Sequence, residues 1–277
     1  MTTMLSFGIQ DIMMAVSSRK TGFFGTSLGF MLIQIAIYAV LAVFIFNWKI
    51  SLQPVTIAML IFCGLASAAS LFGYNKGLEV GNISIVATIG GMWGAITAVL
   101  GFIFLGEKIT YFQIFYILLI IIGTALVSLN LKDILKLGTY RLYKGTEYAL
   151  MATFGWGMYF FVMSILSSKL GWFDAAFLVA ISTVAFMSVY GFTTKAKTKI
   201  KRSSYTLLFL VALTSALGIF SYNLGVISNY TDIVAPISSA SPLVTVALAA
   251  FFFKEKLSKN QMLGMALVLI GLIMLAI

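Results

Sequence analysis

Asp11 is the residue whose position most directly indicates chemistry, because it lies, next to Gln10, inside the first apolar stretch of the chain, residues 3–18. An ionised carboxylate at the centre of a membrane helix costs roughly 2.5–3.5 kcal/mol to insert, so such a residue usually faces a cavity or a partner. There it could bind an amine or accept a proton. The alternative is that a short first helix leaves Asp11 near an interface with access to water.

Two tyrosine–asparagine pairs form a second group of candidates, Tyr74-Asn75 and Tyr222-Asn223. A pair that recurs suits either a packing hydrogen bond made in both places or the lining of a binding site. Three further aromatic residues lie inside apolar stretches, where they either pack in the interior or contact a ligand: Trp93, Trp156 and Tyr159.

Serines accompany two prolines in the segment 235–242. Pro236 and Pro242 weaken the helical hydrogen bonding around them, because proline has no backbone N–H. The serines could satisfy the freed carbonyl groups, or they could face a bound molecule at a broken helix. These candidate binding residues are Ser238, Ser239 and Ser241.

Composition excludes the soluble classes of protein. Of the 277 residues, 61% are apolar and 9% are charged, whereas an ordinary soluble domain has about 25% charged residues. The prediction is an integral membrane protein, and not a soluble enzyme, a nucleic-acid binder or a disordered chain. The sequence has no histidine and one cysteine, Cys63, so it offers no histidine general base and no histidine-based metal site. We expect no catalytic residue and no cofactor; an intramembrane enzyme that uses aspartate, lysine or serine is the least supported alternative. No Gly-x-x-x-x-Gly-Lys-Ser/Thr motif occurs, which argues against direct ATP drive.

Ten apolar segments are predicted to cross the bilayer, which takes about 20 residues of helix. They are apolar around their whole circumference, which favours an all-α fold over the alternating strands of a barrel. The first segment is short, and the lack of a basic residue before it argues against a signal peptide. The predicted spans are 3–18, 28–46, 55–77, 84–105, 112–130, 148–167, 174–192, 206–226, 233–253 and 261–277.

The chain also repeats itself. A shift of 148 residues places 70–129 on 218–277 without a gap, and it brings Glu107-Lys108 onto Glu255-Lys256. Because each copy holds five spans, an odd number, the second copy must lie inverted in the bilayer relative to the first. We therefore expect a five-helix repeat over 1–130, a basic connection over 131–147 and a second five-helix repeat over 148–277.

Further motifs recur in order along the chain, including Tyr74-x-x-Gly77, Tyr222-x-x-Gly225, Trp156-Gly157 and the Glu-Lys pairs. Together they resemble the drug/metabolite transporter superfamily, specifically its EamA-type ten-helix members. The resemblance implies a central cavity lined by helices 1, 3, 4, 6, 8 and 9, in a carrier or exporter. The first copy departs from the pattern at three positions. Phe7 stands where the family has tryptophan, and Thr88 and Gly94 stand where the second copy has Pro236 and Pro242.

Charged residues near predicted helix ends have structural interpretations. Lys76 and Glu79 share one helix face, where they either form an interfacial ion pair or relay charge to Asp11. Glu107 and Glu255 precede spans 5 and 10 and are expected to cap the helix that follows.

Basic residues concentrate in the loops after odd-numbered spans, as in the run 195–202. The net charge of +10 thus indicates cytoplasmic loops rather than nucleic-acid binding. The positive-inside rule places these loops in the cytoplasm and both termini outside. The family resemblance implies that both termini lie inside. If instead the first segment does not cross the membrane, the loops keep their places and only the N-terminus moves inside.

The leading hypothesis is a multi-pass secondary transporter of the plasma (inner) membrane, an exporter of small metabolites or amino acids that works by alternating access. Its partners would be a small-molecule substrate and the lipid bilayer, with protons or the substrate gradient as the driving force; the oligomeric state is left open. The alternative is a non-transporting membrane subunit of a lipid-modifying or assembly complex, for which a dry, filled centre would be diagnostic.

Overall fold

The computed structural model describes residues 1–46, 52–105, 110–128, 142–196, 198, 200, 202–227, 231–255 and 257–275. Every regular element in these ranges is a helix, as predicted from the composition. The helices are α1 (Thr2–Ile45), α2 (Pro54–Val80), α3 (Ile83–Gly90), α4 (Trp93–Leu105), α5 (Tyr111–Ser128), α6 (Thr146–Leu170), α7 (Trp172–Thr194), α8 (Tyr205–Ile227), α9 (Thr231–Ser239), α10 (Pro242–Phe253) and α11 (Lys259–Leu275), with a 3₁₀ turn at Arg202–Ser204.

Within the described residues, six helical stretches are long and apolar enough to cross a membrane, and shorter apolar stretches lie in α5, across α9 and α10, and in α11. The outer surface is rich in exposed aromatic side chains, as at Tyr111, Phe112 and Phe251. Such a surface suits lipid, in which helices satisfy their own backbone hydrogen bonds. The chain is an integral, multi-pass membrane protein.

The first two predicted spans, 3–18 and 28–46, form one element, α1, which is broken at Gly22. Gly22 has φ 78° and ψ 162°, a conformation that glycine adopts without strain and other residues do not. The expected loop between the spans is therefore replaced by a single-residue break. The arm of residues 2–21 is about 30 Å long at 1.5 Å per residue, so Asp11 lies near its middle rather than near an interface.

The same break separates α6 from α7, at Gly171, which has φ 94° and ψ 158°. Gly22 and Gly171 are related by a shift of 149 residues. We call residues equivalent when this shift, or the shift of 148 found in the later helices of each copy, relates them. The two ends of the molecule are named the Gly22 end and the Gly171 end after these breaks.

Two predicted spans, 84–105 and 233–253, are each divided into two half-helices, α3–α4 and α9–α10. Pro242 occupies the first turn of α10, where its missing N–H leaves no helical bond unmade. In the first copy, Gly91 lies at the break and Gly94 is the equivalent of Pro242. A Cβ atom on Gly91 would overlap Pro242, and one on Gly94 would overlap Ser239. The small residues therefore allow the two broken spans to cross in close contact.

The half-helices exchange equivalent contacts with the other copy. Thr97 in α4 donates a hydrogen bond to the Gly157 carbonyl oxygen of α6 at 3.0 Å. Its equivalent Thr245 in α10 donates to Asp11 Oδ2 of α1 at 2.8 Å, and its hydroxyl also lies 3.4 Å from the Gly8 carbonyl oxygen. Gly8 and Gly157 are themselves equivalent, so each copy contacts the other at the same place.

The pair α5 and α11 shows the same exchange. A Cβ atom on Gly123 would overlap Val268 and the Gly264 carbonyl oxygen, and one on Gly271 would meet Ile120 and the Tyr116 carbonyl oxygen. Gly271, Val268 and Gly264 are the equivalents of Gly123, Ile120 and Tyr116. Close approach of two small surfaces drives such helix pairing in lipid, where the hydrophobic effect between helices is absent.

Candidate functional site

A central cavity of about 100 Å³ lies where the broken helices meet α1, α2, α6, α7 and α8. The centre is therefore not filled by side chains. Its lining residues are Phe7, Gln10, Asp11, Met14, Phe30, Met31, Gln34, Tyr38, Ser67, Leu71, Tyr74, Ala87, Gly90, Gly91, Trp93, Trp156, Tyr159, Phe160, Ala176, Val179, Ala180, Thr183, Ser215, Ile219 and Ser241.

Asp11 supplies the one carboxylate among these lining residues, and none of them is a lysine or an arginine. Its side chain is 9% exposed. Asp11 Oδ2 accepts a hydrogen bond from Thr245 Oγ1 at 2.8 Å, and Tyr74 lines the same cavity. The Tyr74 ring packs against Gly90, which has no side chain to displace it.

Aromatic rings form much of the cavity wall. Trp93 and Phe160 are stacked with ring centroids 3.9 Å apart and an interplanar angle of 25°. The rings of Tyr74 and Trp156 are 4.7 Å apart, and Tyr159 contacts Phe160 edge-on at 4.9 Å. Such a wall binds apolar or flat groups and can also attract a cation through the ring faces.

Seven of the predicted binding residues line the cavity together: Gln10, Asp11, Tyr74, Trp93, Trp156, Tyr159 and Ser241. Gln10 turns its amide toward its own helix, because Nε2 donates to Met14 Sδ at 3.3 Å. Ser241 lies at the break between the half-helices α9 and α10. These seven remain candidates for contact with a ligand.

The other five candidates lie outside this lining: Asn75, Tyr222, Asn223, Ser238 and Ser239. Tyr222 packs behind the aromatic wall, with its ring 4.7 Å from that of Phe160. Ser238 and Ser239 are buried, and Ser239 packs against Gly94.

The two asparagines join helices at opposite ends of the molecule. Asn75 is fully buried; its Oδ1 accepts from Ser18 Oγ at 2.9 Å, and its Nδ2 donates to Ser27 Oγ at 2.8 Å. Asn223 Nδ2 donates to the Trp172 carbonyl oxygen at 2.8 Å. Their placement supports the packing interpretation for the two asparagines, whereas Tyr74 lines the cavity.

Several lining residues were missed from the sequence because they belong to spans 2 and 7, which the resemblance does not place at the cavity. Gln34 and Tyr38 lie on the second arm of α1, and Thr183 lies on α7. Gln34 Nε2 donates to Tyr38 Oη at 2.6 Å. A glutamine inside an apolar span was the available signal.

The charged residues at the Gly22 end are structural. Lys76 Nζ and Glu79 Oε1 form the predicted ion pair at 3.1 Å, and Glu79 Oε2 accepts from the Phe23 backbone N–H, where α1 resumes after its break. Arg19 donates to the carbonyl oxygens of Leu78 and Gly81 at the end of α2. Glu79 is absent from the lining, which argues against a charge relay to Asp11.

The capping role expected of Glu255 was assigned to the wrong helix. Glu255 accepts from the backbone N–H groups of Ile83 and Ser84 at 2.9 and 3.0 Å, so it caps α3 of the other copy. The helix that follows Glu255, α11, is preceded instead by Ser258, which accepts from the Gln261 N–H while its own N–H donates to Gln261 Oε1. Glu107 lies outside the described residues.

The described residues contain no group of three or more histidine, cysteine, aspartate or glutamate side chains that could hold a metal ion. The chemistry of the cavity thus rests on one carboxyl group, hydroxyl and amide groups, and aromatic faces.

Comparison with known proteins agrees with this architecture. A family model described as the EamA-like transporter family matches residues 1–129 and 144–277. A segment of 46 residues, 17% of the chain, is 50% identical to Uncharacterized protein MJ1333.1 of Methanocaldococcus jannaschii, and the match spans only 34% of that relative's length. A solved structure described as "Crystal structure of protein" has a TM-score of 0.65 at 14% identity, covering 99% of this chain and 95% of the other; at that identity, the likeness shows the fold alone.

Proposed function

Because the chain belongs to the EamA-like transporter family, we propose that it is a secondary transporter that moves a small molecule across the membrane by alternating access. The observation that carries the proposal is the central cavity, which lies at the breaks of the half-helices and contains the buried carboxyl group of Asp11. A site at broken helices near the midplane is a recurring feature of secondary transporters. The empty centre argues against a subunit that only packs with partners.

We further propose that residues 1–130 and 148–277 are inverted five-helix repeats, giving ten crossings joined by the basic segment 131–147, most of which lies outside the described residues. The support is the exchange of equivalent contacts, such as Thr97 with Gly157 and Thr245 with Gly8. Two copies that hold each other in the same way can exchange conformations, and this exchange would move the opening from one side to the other.

Two aromatic clusters are suited to act as gates. At the Gly22 end, Phe24, Phe72 and Tyr190 are in mutual contact, with ring centroids 4.8 to 5.8 Å apart. At the Gly171 end, the equivalents of the two phenylalanines, Phe173 and Phe220, contact Tyr38 in the same way. In each cluster the tyrosine comes from the other copy, so movement between the copies would separate the rings.

The charge pattern supports one orientation of the protein in the plasma (inner) membrane. Among the described residues, Arg19, Lys144 and Lys195 lie beside helix ends at the Gly22 end, so we expect this end to face the cytoplasm. An exporter would load its substrate from the Gly22 end and release it through the Gly171 end, with the substrate gradient or protons as the driving force.

The test uses cysteines at the equivalent residues Phe24 and Phe173, each introduced into a Cys63→Ala background that has no other cysteine. In membranes, a membrane-impermeant maleimide should label Phe24→Cys from one side only and Phe173→Cys from the opposite side only. The Cys63→Ala parent provides the unlabelled control. Labelling of both positions from the same side, or of neither position under any condition, contradicts alternating access.

A further inference from the structure

The charges of the cavity discriminate between classes of substrate. An anionic group, or the carboxylate of an amino acid, needs a basic side chain or clustered N–H donors to replace its hydration. The described residues of the lining include no lysine or arginine, and their one carboxyl group is that of Asp11. A cationic ligand therefore finds a partner in the cavity, whereas an anionic ligand does not.

Gln34 adds a hydrogen-bond acceptor, its amide oxygen Oε1, that receives no hydrogen bond. Its side chain is 3% exposed and lines the cavity. The amide Nε2 donates to Tyr38 Oη, but Oε1 is buried without a hydrogen-bond partner. A buried acceptor without a partner is unfavourable, and a ligand that carries an N–H group would satisfy it.

The aromatic wall suits the remainder of such a ligand. The faces and edges of Trp93, Trp156 and Phe160 meet in this cavity. Rings of this kind attract an organic cation that has already lost part of its hydration. They also bury an apolar or flat body next to the charged group.

The carboxyl group of Asp11 occurs in one of the two copies and not in the other. The equivalent of Asp11 is Phe160, and the equivalent of its partner Thr245 is Thr97. Thr97 donates to the Trp93 and Gly157 carbonyl oxygens, and these two contacts involve no carboxylate. The carboxyl group is therefore an addition to one copy, which is typical of a binding group rather than a scaffold group.

We propose that the cavity binds a protonated organic amine with an apolar, aromatic body. The ammonium group pairs with Asp11, one of its N–H groups donates to Gln34 Oε1, and the body lies among Trp93, Trp156 and Phe160. This inference rests on the proposed transport function only for the statement that the amine is carried across the membrane.

The test is a matched ligand series, measured by calorimetry on the purified full-length protein. The probes are 2-phenylethylamine, its neutral analogue 2-phenylethanol, the anion 3-phenylpropionate and the zwitterion phenylalanine. We expect the amine to bind at least about tenfold more tightly than each of the others, since one good charge-assisted interaction is worth this ratio. Equal or tighter binding of the alcohol, the anion or the zwitterion overturns the proposal without any mutation.

Two variants locate the site. Asp11→Asn should weaken amine binding about tenfold or more, while the control Glu79→Gln, which removes a carboxylate outside the cavity, should bind as the wild type does. Gln34→Leu should weaken binding of 2-phenylethylamine but not of its N,N,N-trimethyl derivative, which has no N–H to donate. Unchanged amine affinity in both cavity variants overturns the assignment, and the Gln34 comparison still decides if Asp11→Asn does not fold.

Flux of labelled 2-phenylethylamine into proteoliposomes separates this inference from the proposed function. Amine binding without saturable flux supports the proposed binding site and contradicts the proposed transport function. Saturable flux of an amino acid or nucleoside, with no amine binding, supports the proposed transport function and contradicts the proposed substrate class.

Discussion

The two ends of the cavity are built from equivalent residues, but the hydrogen bonds that join the helices differ in number between them. At the Gly22 end, Ser18 donates to Asn75, which in turn donates to Ser27, so both polar groups of the amide are satisfied. At the Gly171 end, the equivalent pair is Ser167 and Asn223. There, Ser167 Oγ and Asn223 Oδ1 are both buried without a partner.

At the Gly22 end, Glu79 also accepts from the Phe23 N–H beside the helix break, and Glu255 accepts from the N–H groups at the start of α3. The equivalent of Glu79 is Ile227, which has no group to offer. The two ends therefore share the helices and the Tyr-Asn pair but differ in the bonding of the asparagine, because Asn75 is bonded through both of its polar groups and Asn223 through its Nδ2 alone. The Gly22 end is therefore expected to open at a higher energetic cost than the Gly171 end.

The largest expected effects concern what the two ends share. Gly22→Ala and Gly171→Ala should each destabilise the protein by about 1–3 kcal/mol, because both positions have positive φ angles that alanine adopts only with strain. Thermal unfolding in detergent measures this. No atom lies within 4 Å of a Cβ at either position, so a steric clash cannot account for the loss; a loss at one glycine alone would show that the two breaks are not alike.

The next effect concerns the fastening of α3. Glu255→Ala should cost about 0.5–2 kcal/mol, as loss of a helix cap does, because it leaves the N–H groups of Ile83 and Ser84 without their acceptor. Glu255→Gln, which keeps an acceptor oxygen, should lose less. Urea or thermal unfolding of the pair measures the difference, and equal stability of Glu255→Ala and the wild type would remove Glu255 from the fastening of this end.

A smaller effect distinguishes the two asparagines. Hydrogen bonds between membrane helices average about 0.6 kcal/mol. Asn75 makes two such bonds and Asn223 makes one. Asn75→Ala should therefore destabilise the protein by about 1–2 kcal/mol and Asn223→Ala by about 0.6 kcal/mol. Unfolding of both variants under one set of conditions gives the ratio. A larger loss for Asn223→Ala would reverse the order of the two ends.

The smallest effects sharpen the comparison most. Ser18→Ala should cost about 0.6 kcal/mol because it removes a bond to Asn75. Ser167→Ala should be neutral or slightly stabilising, because it removes a buried hydroxyl that has no partner. If both variants lose the same stability, Ser167 is bonded in the protein and the two ends are equally fastened.

Much of the fold followed from hydropathy and spacing. The predicted limits 55–77, 148–167 and 206–226 fall within three residues of α2, α6 and α8, because apolar length alone defines a membrane helix. The breaks were less predictable. A positive φ at Gly22 depends on how two arms must turn, and the division of span 84–105 at Gly91 depends on Pro242 packing against it from the other copy.

The candidate site divides in the same way. Asp11 was predictable, because a carboxylate inside an apolar stretch is expensive wherever the helix lies. Asn75 and Tyr74 are adjacent in the chain, yet only Tyr74 lines the cavity. Neighbouring residues on a helix point about 100° apart, and the sequence does not state which direction is the interior.

The sequence by itself determined that the chain spans a membrane many times, that it is duplicated, and that Asp11 would face a cavity or a partner, because hydropathy, repetition and the cost of a buried charge are properties of the residues alone. Only the tertiary structure decided that Gln34 joins Asp11 in one cavity, that Glu255 caps a helix of the opposite copy, and that Ser18 is bonded while Ser167 is not. These depend on distances between residues far apart in the chain, and such distances exist only after the helices have packed.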